Sequence, residues 1–572
     1  MKFLFFVSFL LLGSCTKKVN RPETLEISVQ GEVSTIDPAL CYDTICYVPV
    51  AQIYETLYEY DYLKRPYALR PLIAESFPEI SADKKNYRIK IKNSIPYHSA
   101  PSLPKGRVVK AQDFINQIKR VAFAPTRSPG WWLFDGKIVG INEWRESVGT
   151  NLEKMLAQDI PGLKALNDNQ LEIKLTRPYP QLLYALAMNF TSPVPIESIQ
   201  ATQNSLAQES VGTGAYFLAK YHPTQEVFLK RNYSYITSTY PEEGIQGDQE
   251  RGLLADKKAQ LPFIENVRIL VMKEAQTEWL NFLKQKIDLI NLTKDHYSVA
   301  LTREGQLKQE IIDQNIDLQI SPTLIYWWIA FNMQDPVIGK NKDLRLAIAH
   351  GLNIEKYIEL FTYNVALKAH SLYPPGISGY NPQKKLPYEY DLSKAKAYLK
   401  KAGFPDGKGL PTLTYDVRGT DTRKRQMGEF VAQELKALGI NVNVRVNSFP
   451  SFLEKSRKGE LQFWQGGWVM DYPDAENVLQ LLATKNLPPG PNSSQYSNEK
   501  FDSLFNEILR LEDGAQKSNL MNELEDIVHQ DLPWVMQYYS RNYILSHRYL
   551  KNFKYSDIIY NNLKYLKLEG KK

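Results

Sequence analysis

Residues 427–446 read MGEFVAQELKALGINVNVRV, and this stretch decides the fold class. Met427, Phe430, Val431, Leu435 and Leu438 recur at helical spacing, which makes one face of a helix apolar. Gly439 follows, placed to end that helix in the left-handed conformation that glycine adopts at little steric cost. Ile440, Val442, Val444 and Val446 then alternate with polar residues, the period of a half-buried strand. Helix, glycine and strand in direct succession suit an α/β layer architecture. The same two periods recur outward along the chain. Tyr87, Ile89 and Ile91 predict one strand, and Leu171, Ile173 and Leu175 another. Helices are predicted near 114–121, 344–352, 501–511 and 520–528, and Ser393 is placed to N-cap a helix through Leu399 that stops at Gly403. Residues 233–262, rich in Tyr, Gly, Asp and Gln, read as the most loop-like segment, and no short repeat or flexible linker separates independent modules.

The chain has 572 residues, which at about 150 per domain implies two to four domains. With 43% hydrophobic and 23% charged residues it can bury sizeable cores, which excludes a disordered, collagen-like or polytopic membrane chain. Its net charge of +7 is spread among interleaved signs, which argues against a nucleic-acid-binding face. Lys2 precedes an apolar run, 3–12, that is too short to span a bilayer, which needs about 20 residues. The run reads as an export signal, residues 1–14. Leu12-Gly13-Ser14-Cys15 resembles the lipobox of bacterial lipoproteins, which implies a lipid on Cys15 and tethering to a membrane of the cell envelope. An ordinary cleavable signal is the alternative. Cys41 and Cys46 then lie in a disulfide-permissive space. Their spacing closes a small loop if the Cβ atoms approach properly; otherwise they are two small buried thiols.

Neither nucleophile, phosphate-loop nor zinc-protease spacing is present, and the seven histidines are scattered without ligand spacing. No catalytic residue, metal site or cofactor is expected. Asp471 and Asp474 could pair as glycosidase carboxylates only with a geometry that sequence does not supply. Gly212-Thr213-Gly214 reads as a tight turn before a strand rather than a phosphate loop. Aromatic residues make up 12% of the chain, which suits either large cores or a cleft for varied small ligands.

Several short segments occur in one order: Ile36-Asp37-Pro38, Tyr54-Glu55-Thr56-Leu57, Leu72-Ile73-Ala74-Glu75-Ser76, Ala111-Gln112-Asp113-Phe114, Val211-Gly212-Thr213-Gly214-Ala215-Tyr216, Asp343-Leu344-Arg345, and Gly467-Trp468-Val469-Met470-Asp471-Tyr472. From about residue 30 to about 550 this order resembles the peptide/nickel-binding family of bacterial extracellular solute-binding proteins. Thr56 and Ala215 depart from that pattern, standing where the family has glycine and proline.

The resemblance implies an α/β, two-lobed periplasmic-binding-protein (Venus flytrap) fold with an additional third domain, the lobes joined by hinge strands near Thr323 and Leu532. The base lobe would comprise 15–56, 193–322 and 532–572, the extra domain 57–192, and the second lobe 323–531. It further implies a monomer that is not an enzyme, capturing oligopeptides for an ABC permease and ATPase complex. Dipeptides, nickel chelates, haem, opines or oligosaccharides are the alternative ligands, and a non-transport surface lipoprotein is the alternative role. Asp471 would hold the peptide ammonium, with a turn or capping Asp before Pro473 as the alternative. Trp468 and Tyr472 would stand beside it, Tyr42, Asp43 and Thr44 would approach from the base lobe, and either Trp327 or Trp328 from the hinge, Trp328 being preferred. Arg418 and His370 are the candidates for the peptide carboxylate.

Overall fold

The computed structural model describes residues 23–571 except 208, 421, 489 and 512. The expected export signal and Cys15 lie outside the described residues. Three main sheets carry the chain, and each is covered by helices or loops, an α/β organisation.

The first sheet has four strands in the order Thr24–Val29, Asn266–Val271, Glu226–Arg231 and Tyr216–His222. The first pair is parallel and the others are antiparallel. Their inward residues meet the segment 550–568 in one hydrophobic core, so Leu25 and Ile27 pack in the same cluster as Leu550, Tyr565 and Leu568. Between Arg231 and Asn266 no helix or strand forms, as the composition of 233–262 predicts.

The second sheet is antiparallel, with Asn86–Lys90 and Gln170–Lys174 at its centre. Tyr87, Ile89, Leu171 and Ile173 point inward at alternate positions and pack with Phe114, Ile118 and Val121 of the helix Ala111–Ala122.

The third sheet has seven strands built around two long ones, Ile316–Phe331 and Trp534–His547, which pair antiparallel from Ile316↔His547 to Ala330↔Trp534. Register shifts interrupt the pairing between Pro322 and Tyr326 and between Trp327 and Trp328. One end of this pair joins Leu289–Asn291 over a small core of Trp279, Phe282 and Tyr543. The other end carries Phe463–Val469, Leu413–Arg418 and Val442–Asn447. Both faces there are buried: Tyr326, Trp328 and Ala330 enter one core, and Ile329 and Phe331 the opposite one.

The stretch 427–446 folds as its periodicity predicts. The helix Thr422–Lys436 buries Met427, Val431 and Leu435, Gly439 adopts φ +82°, and Val442–Asn447 pairs parallel with Leu413–Arg418. The predicted helices near 114–121, 344–352, 501–511 and 520–528 fall within Ala111–Ala122, Lys342–Gly351, Glu499–Ile508 and Ala515–Asp531, to within a few residues at their ends. One cap differs. Asp391, not Ser393, caps Leu392–Lys401, accepting from the amides of Ser393 and Lys394. A carboxylate two residues earlier reaches those amides first, so Ser393 sits inside the first turn.

Candidate functional site

A cavity of about 890 Å³ lies where the first sheet, the segment 187–189, the end of the strand Phe463–Val469 and the segment 553–566 converge. Asp471, Trp468, Tyr42 and Thr44 line it.

Asp471 follows that strand in a turn, and Asn477 anchors it there. The Asn477 amide oxygen accepts from Trp468 Nε1 at 2.8 Å and from the Asp471 amide at 3.2 Å, while its Nδ2 donates to Asp471 Oδ2 at 3.1 Å. Asn477 is fully buried, so this clamp is shielded from water. From the other side Tyr42 donates its hydroxyl to Asp471 Oδ1 at 3.2 Å, across 429 residues of chain. Neither partner is charged. Burial pushes the Asp471 carboxyl above its usual range, against the two hydrogen bonds that favour the anion. Burial and the same carboxylate also push the Tyr42 phenol up, so it stays protonated and donates.

Tyr42 stands at the tip of a short loop closed by a disulfide between Cys41 and Cys46, with Cα atoms 5.8 Å apart. Asp43, expected to touch ligand, is instead the N-cap of the helix Thr44–Ile53. One of its oxygens accepts from the amides of Ile45 and Cys46 and the other from the Ser34 hydroxyl. Those bonds occupy both carboxylate oxygens, and Asp43 is not among the residues lining the cavity.

Four other expected contacts lie elsewhere. Tyr472 is buried, with its hydroxyl on Glu476 and its ring stacked on Tyr184 at 5.4 Å. Trp328 stacks on Trp534 at 4.2 Å inside a core. Trp327 points to the opposite face, under the Arg418 guanidinium at 5.3 Å. His370 packs against Tyr380 and Tyr539. None of these lines the cavity, Arg418 included. The strand that bears both tryptophans is buried on its two faces, so alternation sends each into a core.

Asp474 also leaves the site. Its carboxylate is ion-paired to Lys517 at 2.7 Å and accepts from the Glu476 amide at 2.8 Å, so Asp471 and Asp474 do not face each other across the cavity as paired carboxylates. Among the described residues no cluster of His, Cys, Asp or Glu could hold a metal ion.

The structure adds carboxylates that the sequence reading did not select: Glu55, Glu59, Glu278 and Asp557 all line the cavity. Glu55 belongs to the Tyr54-Glu55-Thr56-Leu57 segment, which offered a signal; the others carry no local pattern. Gly212 and Gly214 let the turn before Tyr216–His222 pass directly over the end of the helix Thr44–Ile53, since a Cβ at either would lie about 2 Å from the carbonyl oxygens of Ile53 or Gln52. That approach brings the Thr213 hydroxyl to Glu55 Oε2 at 2.8 Å, beside that of Thr237 at the same distance. Glu55 Oε1 is buried with no hydrogen-bond partner. Burial pushes Glu55 up to about 7, against Lys564 and the two hydroxyls. For Glu59 burial also opposes the anion, but Lys564 at 2.8 Å and Arg70 at 2.6 Å hold it down at about 2.

A folded pKa near 7 against an ordinary 4.5 means that the native state binds the extra proton. Glu55 therefore lends stability that is full below pH 4.5 and lost as pH rises to about 7, roughly 3 kcal/mol in all. Glu55→Gln mimics the protonated form. Urea titrations should find the variant more stable than the parent near pH 8 and close to it near pH 4.5; parallel pH profiles for the two proteins would refute the shift.

Comparison with known proteins adds the following. Residues 68–487 match the family described as bacterial extracellular solute-binding proteins, family 5 Middle. A glutathione-binding protein of Escherichia coli, GsiB, is 22% identical over 537 residues, covering 92% of this chain and 90% of its own. Among solved structures, the periplasmic binding protein DppA of Helicobacter pylori, in complex with the peptide STSA, is similar with a TM-score of 0.69 at 24% identity, over 96% of this chain and 98% of that one. HbpA2 of Haemophilus parasuis is similar with a TM-score of 0.77 at 21% identity, over 96% of this chain and all of that one.

Proposed function

This chain belongs to the family 5 bacterial extracellular solute-binding proteins and has their two-lobed α/β fold, and on that premise we propose that it captures short peptides for an ABC importer. The observation that carries the peptide reading is Asp471: a desolvated carboxylate facing a cavity of about 890 Å³, bonded only to the neutral Tyr42 and Asn477. An α-ammonium placed there supplies the missing positive charge, and a buried carboxylate gains most from such a partner. The solved relative holding STSA supports a peptide as the ligand class.

In this reading the lobes close over the peptide at the two long strands near Thr323 and Leu532. Residues 15–56, 193–322 and 532–572 form the base, 323–531 the second lobe, and 57–192 the extra domain. Cys15 carries a lipid anchor in the cell envelope, and the closed, loaded monomer docks on a permease driven by ATPases. Backbone hydrogen bonds to an extended peptide are indifferent to side-chain identity, which suits a receptor for varied sequences.

Calorimetry with Ala-Ala-Ala and N-acetyl-Ala-Ala-Ala tests the ammonium contact. Acetylation removes the charge while keeping the rest of the peptide. The free peptide should bind at least about a hundredfold tighter. Equal affinity for the two would overturn the reading.

A further inference from the structure

The cavity is acidic in a basic chain. Lys and Arg outnumber Asp and Glu by seven overall, yet five carboxyl groups line the cavity and none of the described lining residues is Lys, Arg or His. Among the described residues, Glu59 alone of the five is ion-paired, to Lys564 and Arg70. The other four accept hydrogen bonds from neutral donors. Asp471 has Tyr42 and Asn477, Glu278 has Ser28 and Gln30, and Asp557 has Tyr67 and the Leu324 amide. Glu55 has Thr213 and Thr237, with Oε1 buried and unpartnered. Glu55 and Glu278 are each only 5% exposed, so solvent screens them little.

A peptide with one ammonium and one carboxylate is a poor complement to this lining. Its ammonium answers Asp471, but its carboxylate would enter a space lined by carboxyl groups and by no described Lys, Arg or His, where a desolvated anion finds no opposite charge. A second ammonium or a guanidinium answers the remaining carboxylates and gives the unpartnered Glu55 Oε1 a donor. We infer that the cavity selects peptides bearing a basic side chain in addition to the free α-ammonium, and leaves their C-terminal carboxylate outside the acidic interior. This rests on the peptide reading above and narrows its substrate class.

The test is calorimetry of the purified protein with Ala-Lys-Ala, Ala-Ala-Ala, Ala-Glu-Ala and Ala-Lys-Ala amide, with spermidine as a cation that is not a peptide. Ala-Lys-Ala should bind about ten- to a hundredfold tighter than Ala-Ala-Ala, by the worth of a hydrogen bond to a charged group, with Ala-Glu-Ala weakest. Amidation of Ala-Lys-Ala should preserve or raise its affinity. In Glu278→Gln and in Glu55→Gln, each checked for folding by circular dichroism, the Lys-over-Ala ratio should shrink. Ala-Ala-Ala binding as tightly as Ala-Lys-Ala, or a large loss on amidation, overturns the charge selection while peptide capture stands. Spermidine binding with no peptide binding overturns peptide capture and upholds the cationic site. No binding by any probe overturns both.

Discussion

Replacing Asp471 by Asn should weaken peptide binding by about 3–5 kcal/mol, some two to four orders of magnitude in affinity. The substitution keeps the shape, and the Asn amide can accept from Asn477 Nδ2 while donating to the Tyr42 hydroxyl oxygen, so the cavity wall is preserved. What it removes is the negative charge that a desolvated ammonium needs, and an unpaired buried ammonium is strongly unfavourable. Folding should change little, because both present partners are neutral and Asn can engage each of them. Burial already works against ionisation of Asp471, so the neutral side chain relieves a cost in the unliganded protein. Calorimetry with a free-amino peptide, beside thermal unfolding of both proteins, reads the two effects separately. An unchanged affinity in a folded variant would place the ammonium elsewhere.

The largest expected effect on stability lies behind the cavity wall. Lys564 is 3% exposed and donates to Glu59 at 2.8 Å and to the Tyr235 hydroxyl at 3.2 Å. Lys564→Met fills a similar volume but leaves Glu59 with Arg70, the Asn561 amide and the Tyr565 hydroxyl. Breaking a buried pair from one side costs about 3–5 kcal/mol, and the remaining Arg70 places the loss near the lower end, about 3 kcal/mol. Adding Glu59→Gln should recover part of it, because the second substitution removes the anion that has lost Lys564, though it also takes the carboxylate from Arg70. A urea-unfolding cycle of the two single variants and the double variant measures this directly. Additive losses in the double variant would contradict the account.

How much of this was legible in the sequence follows from the range of each interaction. The stretch 427–446 was readable because a helix period, a terminal glycine and a strand period are local properties, and neighbouring layers confirm them. Trp328 was misplaced for a non-local reason. Alternation separates it from Trp327, but only Trp534, two hundred residues later, turns its face into a core rather than a cleft. Arg418 and His370 were selected for their charge type, and nothing near them in sequence says that they face Trp327 or Tyr539. Asp43 lies in the loop where the resemblance places ligand contacts, yet an Asp just before a helix is a natural cap. Asn477 escaped notice because its role depends on a turn that returns its side chain to the preceding strand. Glu278 and Asp557 enter the cavity from helix and loop segments whose local pattern is ordinary; only the assembled fold brings them together.

The hydrophobic core that joins Leu25 and Ile27 to Leu550, Tyr565 and Leu568 has a consequence for biogenesis. Its two halves lie about 520 residues apart in the chain, so it cannot close until residue 568 has left the ribosome. Closing a loop of that size is entropically slow, and contacts this distant in sequence form late. The part of the nascent chain that builds this core therefore stays loose late into translation and remains threadable, which is the state that a protein bound for the far side of a membrane needs to keep.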